Sequence, residues 1–289
     1  FFFKQKTAYE IPKRDWSSDV CSSDLLSKIA GRHWLWTNSI MIESPEFDPL
    51  DFGRLNYAGD LTTTHRLTYR ETRPGRVFRS YSIQGSLVPY WYFDTDLGVR
   101  YNIGASNSVT LRNFWVASLN ATRFLRGLDA QLTRGGPVMQ TPLGWAVSTS
   151  LRNSSGSKTL WSGSVNYKSN EFGDHSWGVT PSLSSRPSPS WQLSITPQYL
   201  AETGTNASFN GPINRQYLQT VSGGRPETYG KRYVFGLVDW TTLSTQFRVS
   251  YTFKPDVTLD VYAEPFAASG QIGRAHVELQ SRFGISYAV

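Results

Sequence analysis

Over much of the chain, apolar and polar residues alternate one by one. Leu243, Thr245, Phe247, Val249, Tyr251 and Phe253 interleave with Ser244, Gln246, Arg248, Ser250, Thr252 and Lys254. Trp191, Leu193, Ile195, Pro197 and Tyr199 interleave with Gln192, Ser194, Thr196 and Gln198. The same rule holds from Trp161 to Lys168 and from Trp115 to Thr122, with weaker copies starting at Leu97, Trp145, Trp177 and Val257. A period of two places each set on one face of a strand. No stretch keeps the 3.6 period long enough to argue a helix. Turn formers fall where one run stops and the next starts: Arg112-Asn113, Asn153-Ser-Ser-Gly156, Ser188-Pro189 and Lys254-Pro-Asp256. Two longer connections, Gly127–Pro137 and Gly204–Arg215, are rich in Gly, Asn or Pro. About a dozen strands joined to their neighbours predict an all-β protein built as an antiparallel meander.

Alternation alone fits any antiparallel sheet with one wet face. Three features favour a transmembrane-type β-barrel over a soluble β-sandwich. The apolar runs reach about 9–11 residues, enough to cross a bilayer when tilted, where globular strands average about 5–6. Aromatic residues stand at the ends of the runs: Trp145, Trp161, Trp177 and Trp191 open theirs, and Tyr167, Tyr199 and Phe253 close theirs. That is the placing expected of aromatic girdles at two membrane interfaces. The apolar side also carries many small residues, which leaves little to build a thick dry core. The expectation is therefore that the Trp- and Val-bearing faces meet a lipid bilayer while the Ser- and Gln-bearing faces enclose solvent. A secreted soluble β-protein, such as an enzyme acting on polysaccharide, would instead stack its apolar faces in two opposed layers.

Both ends of the chain read differently from its middle. Lys4–Ile11 and Arg14–Leu25 resemble the in-frame translation of a sequencing-adapter oligonucleotide, with Pro12-Lys13 at its variable index. Ile272–Ser281 and Ile285–Val289 resemble its reverse complement. On this reading 1–25 and 272–289 are artefactual ends without a fold, and 26–271 is a β-barrel fragment truncated on its C-terminal side. The absence of a signal peptide then carries no information. The middle is unusual in being rich in Ser, Thr, Asn, Gly, Tyr and Trp. The only cysteine, Cys21, falls in the leader, so the middle offers no thiol nucleophile, disulfide or thiolate metal site. Its three histidines, His33, His65 and His175, have no metal-ligand spacing. The whole chain has a net charge of +7. The leader is balanced and the tail holds Arg274, Arg282 and Glu278, so the middle carries +7 − 1 = +6. Its basic residues are dispersed singly, unlike the stripe of a nucleic-acid binder, and nucleic acid is not expected as a partner.

Three longer motifs add a resemblance. Ser44–Asp60, with Pro45, Phe47, Leu50, Phe52 and Gly53, is similar to a stretch of the bacterial family called domain of unknown function 5916. Leu132-Thr133-Arg134-Gly135-Gly136-Pro137 resembles that family's LTRGGP signature. Tyr251–Phe266 is similar to its late hairpin, in which the Pro255-Asp256 turn precedes a strand ending in Tyr262, Pro265 and Phe266. Asp48-Pro49 departs from the family's tendency toward Asn or a small polar residue. The resemblance implies an outer-membrane-type β-barrel region in a Gram-negative bacterium. Such a region commonly follows a module similar to family 9 carbohydrate-binding domains, so any glycan contact would belong to that preceding module. The expected role is a membrane anchor or conduit, not an enzyme, and no cofactor is implied.

Candidate chemistry is sparse. Glu43, Glu46, Asp48 and Asp51 form the densest carboxylate group, but their spacing does not match a calcium loop. Asp260 and Glu264 share one face of a strand and could form a glycosidase-like pair; a wet lining is the favoured reading. Asp174-His175-Ser176 are adjacent and cannot make a triad with one another. Arg100, Arg112, Arg123, Arg152 and Arg248 lie in or beside the polar faces, where pairing with Asp94, Asp96, Asp239 and Asp260 is expected.

Overall fold

A computed structural model of the chain describes residues 21–44, 59–92, 100–129, 132–133, 136–204, 216–254, 256–272 and 275–277. Strands β1 (Cys21–Lys28), β2 (Trp34–Glu43), β3 (Asp60–Glu71), β4 (Phe78–Tyr92), β5 (Arg100–Leu111) and β6 (Val116–Phe124) follow one another as antiparallel neighbours. A short hairpin, β7 (Gly127–Asp129) with β8 (Met139–Thr141), then departs from the main sheet. The meander resumes with β9 (Gly144–Arg152), β10 (Thr159–Asn170), β11 (His175–Ser185) and β12 (Trp191–Thr203). A second hairpin, β13 (Gln216–Ser222) with β14 (Lys231–Gly236), is inserted before β15 (Val238–Lys254). The sheet ends with β16 (Val257–Ala263), β17 (Phe266–Ile272) and β18 (Ala275–Val277).

The all-β antiparallel meander expected from alternation is present, as one 14-stranded sheet and two small hairpins. All four turns read from the sequence fall between strands. The long β15 pairs with β12 on one edge and with both β16 and β17 on the other. Those two keep one register, from Thr252↔Thr258 through Phe247↔Ala263 to Ser244↔Phe266 and Val238↔Ile272. They are one strand interrupted at Glu264-Pro265, where proline has no N–H to donate but its carbonyl still accepts from Thr245 at 3.0 Å.

The closed barrel expected from the sequence is not seen. Among the described residues β1 and β18 do not pair, and the sheet is open. A second difference lies at the start, because β1 begins at Cys21, inside the segment expected to carry no fold. Its register onto β2 is continuous from Cys21↔Glu43 to Lys28↔Trp36. An open edge of unpaired N–H and C=O groups accepts almost any extended segment, so this pairing says nothing about where those residues come from. Residues 1–20 and 278–289 lie outside the described residues.

The order of exposure is inverted relative to a soluble sheet. Along β11, Trp177, Val179, Pro181 and Leu183 are exposed, while Ser176, Gly178, Thr180, Ser182 and Ser184 are buried or half-buried. Along β9, Trp145, Val147 and Leu151 are exposed and Ala146, Ser148 and Ser150 are half-buried. β5 repeats this over Arg100–Ser106, with Tyr101, Ile103 and Ala105 outward. Phe124 is the one buried hydrophobic side chain among the described residues. The substantial contacts of the main-sheet strands are with hydrogen-bonded neighbours, save for β5 touching β7. No second layer covers the apolar face, so the two-layer arrangement of a sandwich is not what these strands build.

Register can be checked covalently. Ser118 and Ser150 face each other on β6 and β9 with hydroxyls 2.8 Å apart. In a Cys21→Ser background, the pair Ser118→Cys and Ser150→Cys should oxidise readily, since directly opposed Cβ atoms lie within disulfide reach. Pairing Ser118→Cys with Thr149→Cys should not, because a one-residue shift moves the thiol to the other face. Intact-mass analysis after mild oxidation reads both outcomes.

Candidate functional site

The polar face is organised as rows of directly opposed residues. One row runs through Ser82, Ser108, Ser118, Ser150, Ser164 and Thr180, and is made entirely of hydroxyls. The next but one toward the opposite end contains Thr122, Ala146, Lys168, Ser176, Glu202 and Trp240. Lys168 and Glu202 are only 4% and 3% exposed, whereas Trp177 and Leu183 on the other face are each 46% exposed. Charged groups tolerate such enclosure only when paired or hydrogen-bonded. Glu202 accepts a hydrogen bond from the Trp240 indole N–H and lies within electrostatic reach of Lys168, with Ser176 between them in the row.

The apolar face has its own order. Toward one end it carries Trp34 against Tyr69, Trp115 against Trp161, and Trp191 against Tyr251 and its neighbour Phe253. Toward the other it carries Trp145 and the close pair Tyr167–Trp177. On β10 the two bands are marked by Trp161 and Tyr167, about 20 Å apart along a strand that rises about 3.4 Å per residue. Arg123 opposes Trp145 and lays its guanidinium 4.4 Å from the ring centroid. That long side chain belongs to the apolar face, and its charge rests on the aromatic band.

The connections at the two ends differ in length. At the first end they are residues 29–33, 72–77, 112–115, 153–158, 186–190 and 255–256. At the second they are 44–59, 93–99, 125–143, 171–174 and 204–237, and both inserted hairpins stand here. The β7–β8 hairpin is anchored toward the polar face. Arg100 forms an ion pair with Asp129 at 3.3 Å and stacks over Tyr90 at 4.7 Å. Thr141, 1% exposed, both accepts from the Gly127 N–H and donates to the Gly127 carbonyl, each at 3.2 Å. The Leu132 N–H donates to Asp129 at 3.2 Å, and the Thr133 hydroxyl donates to the Pro137 carbonyl at 2.8 Å. The LTRGGP segment is therefore the crossing between β7 and β8. Gly136 lies against Tyr233 of β14, and a Cβ there would stand 2.3 Å from the ring. This contact joins the two hairpins.

A charged strap secures the base of the first hairpin. Glu171 accepts from the Arg126 guanidinium, through Nε at 2.9 and 3.1 Å and through Nη2, and from the Leu143 N–H at 3.0 Å. These bonds, led by the Arg126 one, pull the Glu171 carboxyl down to about 2. Asn170 caps the same turn, its side-chain oxygen accepting from the N–H groups of Phe172 at 2.9 Å and Asp174 at 3.1 Å.

The other sequence-based candidates fall as follows. Pro45, Glu46, Phe47, Asp48, Leu50, Asp51, Phe52, Gly53, Asp94, Asp96, Arg134, Gly135 and Pro255 lie outside the described residues. Glu43 opposes Asp60 at the ends of β2 and β3. Asp256 stands in the β15–β16 turn, and Tyr262 and Phe266 pair with Arg248 and Ser244 of β15. Glu264 is engaged by the Tyr262 hydroxyl and by Gln246 at 3.2 Å, with Tyr262 between it and Asp260 along the strand. The expected arginine–aspartate pairing takes a different form: Arg100 chooses Asp129, Arg248 stacks on Tyr262, and Asp239 accepts from the Gly204 N–H. Asp129, Lys168, Glu202 and Trp240 were not singled out from sequence. Their partners lie many strands or an insertion away, and alternation gives the face of a residue but not its cross-sheet neighbours.

A family model described as Domain of unknown function (DUF5916) matches residues 17–282, nearly the whole chain. The chain belongs to this family. Neither the comparison with curated proteins nor that with solved structures gave a match. The DUF5916 match spans all three motif segments, the whole main sheet and both hairpins, and crosses the Leu25 and Ile272 boundaries.

The Arg126–Glu171 strap makes a pH prediction. A carboxyl held below its ordinary value adds stability above about pH 4.5 and loses that contribution as pH falls through about 2. Carboxyl-carbon NMR should place the Glu171 midpoint near 2, and Arg126→Gln should return it toward the ordinary range.

Proposed function

We propose that this DUF5916 chain forms the membrane-embedded wall of a β-barrel in a bacterial outer membrane. Its role there is to anchor, or serve as conduit for, a preceding module, which the family resemblance implies is similar to family 9 carbohydrate-binding domains. The observation that carries the reading is the inverted exposure: the Trp-, Val- and Leu-bearing face is the outer one and the hydroxyl-bearing face the enclosed one. In water such a sheet would expose a large contiguous apolar surface, far beyond the few hundred Å² that soluble monomers show. In a bilayer the same surface is the required one, because hydrocarbon neither hydrates side chains nor hydrogen-bonds the backbone.

Three further observations support it. The main-sheet strands from β2 to β12 run from 9 to 15 residues. Aromatic residues gather toward both ends of the apolar face, as the girdles of such barrels do. Short connections on one end and long ones on the other match the periplasmic turns and extracellular loops of such barrels. The soluble polysaccharide enzyme is not favoured, since no described pair of carboxylates converges in a cleft between two sheets.

Two measurements test this. The full chain should stay soluble only with detergent or lipid and should migrate faster on a gel before boiling than after; a freely soluble monomer would count against it. In lipid vesicles, Val179→Arg on the apolar face should cost about 2–4 kcal/mol, read from denaturant titration. Thr180→Arg on the enclosed face should cost much less. Equal losses would remove the lipid from the account.

A further inference from the structure

A cavity of about 600 Å³ opens where the two inserted hairpins meet. One wall is formed by Thr133, Pro137, Val138 and Met139; the other is the β13–β14 loop and β14 itself. The volume falls within the range of small-molecule sites, about 300–1,000 Å³. The cavity combines two chemistries. Its floor includes the half-buried rings of Tyr233 and Phe235, the latter held edge-on by Tyr217 at 5.9 Å. Its rim carries Arg225, Lys231 and Arg232, and among the described residues no carboxylate lines it. Among the described residues none of these three cations makes an ion pair.

The loop that presents the cations is built in advance. The N–H groups of Gly223 and Gly224 donate to the Gly230 carbonyl at 3.1 and 2.9 Å, and the Gly230 N–H donates to the Arg225 carbonyl at 2.9 Å. Between them Pro226–Thr228 forms one 3-10 turn, closed by Tyr229 in the left-handed region at φ 55°. The Thr228 hydroxyl bridges the Arg225 and Lys231 carbonyls at 3.0 and 2.6 Å. Arg232 is tied through Nε to the Gly223 carbonyl at 2.8 Å, which fixes the guanidinium stem while its outer nitrogens stay available. Gly224 is required here, since a Cβ would lie 1.9 Å from the Lys231 carbonyl oxygen. Ordering the backbone that carries the three cations, and the stem of Arg232, before a ligand arrives lowers the entropy lost on binding.

We infer that this cavity binds a phosphorylated saccharide, its phosphate on the Arg225–Lys231–Arg232 rim and its sugar ring against Tyr233 and Phe235. A phosphate monoester carries nearly two charges near neutral pH and several strong acceptor oxygens, which suits guanidinium forks and an ammonium together. A sugar ring offers an apolar face to the aromatic floor. Its hydroxyls can donate to the oxygens of Thr133 and Thr228, whose own protons are already committed to carbonyls. The inference depends only on how the two hairpins meet, so it stands or falls apart from where the main sheet resides.

Calorimetric titration of the full, folded chain with glucose 1-phosphate tests it, with glucose and inorganic phosphate as the two halves of the probe. Glucose 1-phosphate should bind at least tenfold more tightly than either half. The combined variant Arg225→Gln, Lys231→Gln, Arg232→Gln should lose at least tenfold. Lys158→Gln, in a short turn at the other end, should match the parent. Tyr233→Leu should weaken the sugar phosphate while leaving inorganic phosphate unchanged. Equal binding of glucose and glucose 1-phosphate, an unaffected triple variant, or no heat up to millimolar ligand would each overturn it. Competition between glucose 1-phosphate and a phosphorylated glycolipid in mixed micelles then names the source. Either preference supports the cavity as a sugar-phosphate site.

Discussion

A β-sheet must satisfy its backbone through its ladders and find a suitable medium for each face. Here each main-sheet strand pairs with the next from β1 to β12 and through β15 to the strand made of β16 and β17, with local interruptions such as that between Val179 and Leu183. Register places most face residues, and one face is mainly apolar while the other is mainly polar. The medium is the unmet demand. With a single buried hydrophobic side chain among the described residues, the sheet does not supply an apolar medium of its own. Burial of apolar area is worth roughly 25 cal/mol per Å², so leaving dozens of Val, Leu, Ile and aromatic side chains against water would forfeit the main favourable contribution to folding. Lipid restores it without a second layer.

The enclosed face follows from the same constraint. Most side chains turned inward are Ser, Thr, Asn and Gln, joined by residues such as Ala146 and Trp240, and the charges among them are placed with partners. Arg100 sits between Asp129 and Tyr90, and Glu202 beneath the Trp240 N–H. Arg123, like His65 and Asn38 in the same row, departs from this sorting. It lies on the outer face, but at the aromatic band, where a long stem can cover apolar surface while its charge stacks on Trp145. The two hairpins gather at the end with long connections, which is where a wall of this kind has room to carry recognition. The short turns at the other end have none.

Much of the fold was legible from alternation, because one face of most long strands is mainly apolar, with polar interruptions such as Asn107, Thr149 and Thr245. Strands β9 to β12 were marked by their leading tryptophans, β15 by its run from Leu243 to Phe253, and their ends by the turns at Asn153–Gly156, Ser188-Pro189 and Lys254–Asp256. What escaped was either short or non-local. β7 and β8 have three residues each, too few for a period to declare itself, and the sequence showed only a Gly-rich connection. The β13–β14 hairpin alternates weakly through Tyr217, Gln219 and Val221, with a register shift near Leu218. The expected closure into a barrel failed for a different reason. Periodicity reports the faces of strands and is silent about which two edges meet. The candidate cavity was half legible: the LTRGGP motif stood out, but its partner wall lies some ninety residues later in sequence, joined only by the fit of Gly136 to Tyr233.

The most direct measurement of the central claim is a spin-label scan along β11. Residues 175–185 would be replaced one at a time by labelled cysteine in the Cys21→Ser chain and reconstituted in vesicles. Collision rates with oxygen, which concentrates in hydrocarbon, and with a water-soluble nickel chelate would be read at each site. The account predicts opposite oscillations of period two, with oxygen maxima at positions 177, 179, 181 and 183. Uniform access to the nickel reagent on both faces, or oxygen maxima at 178, 180 and 182, would contradict it.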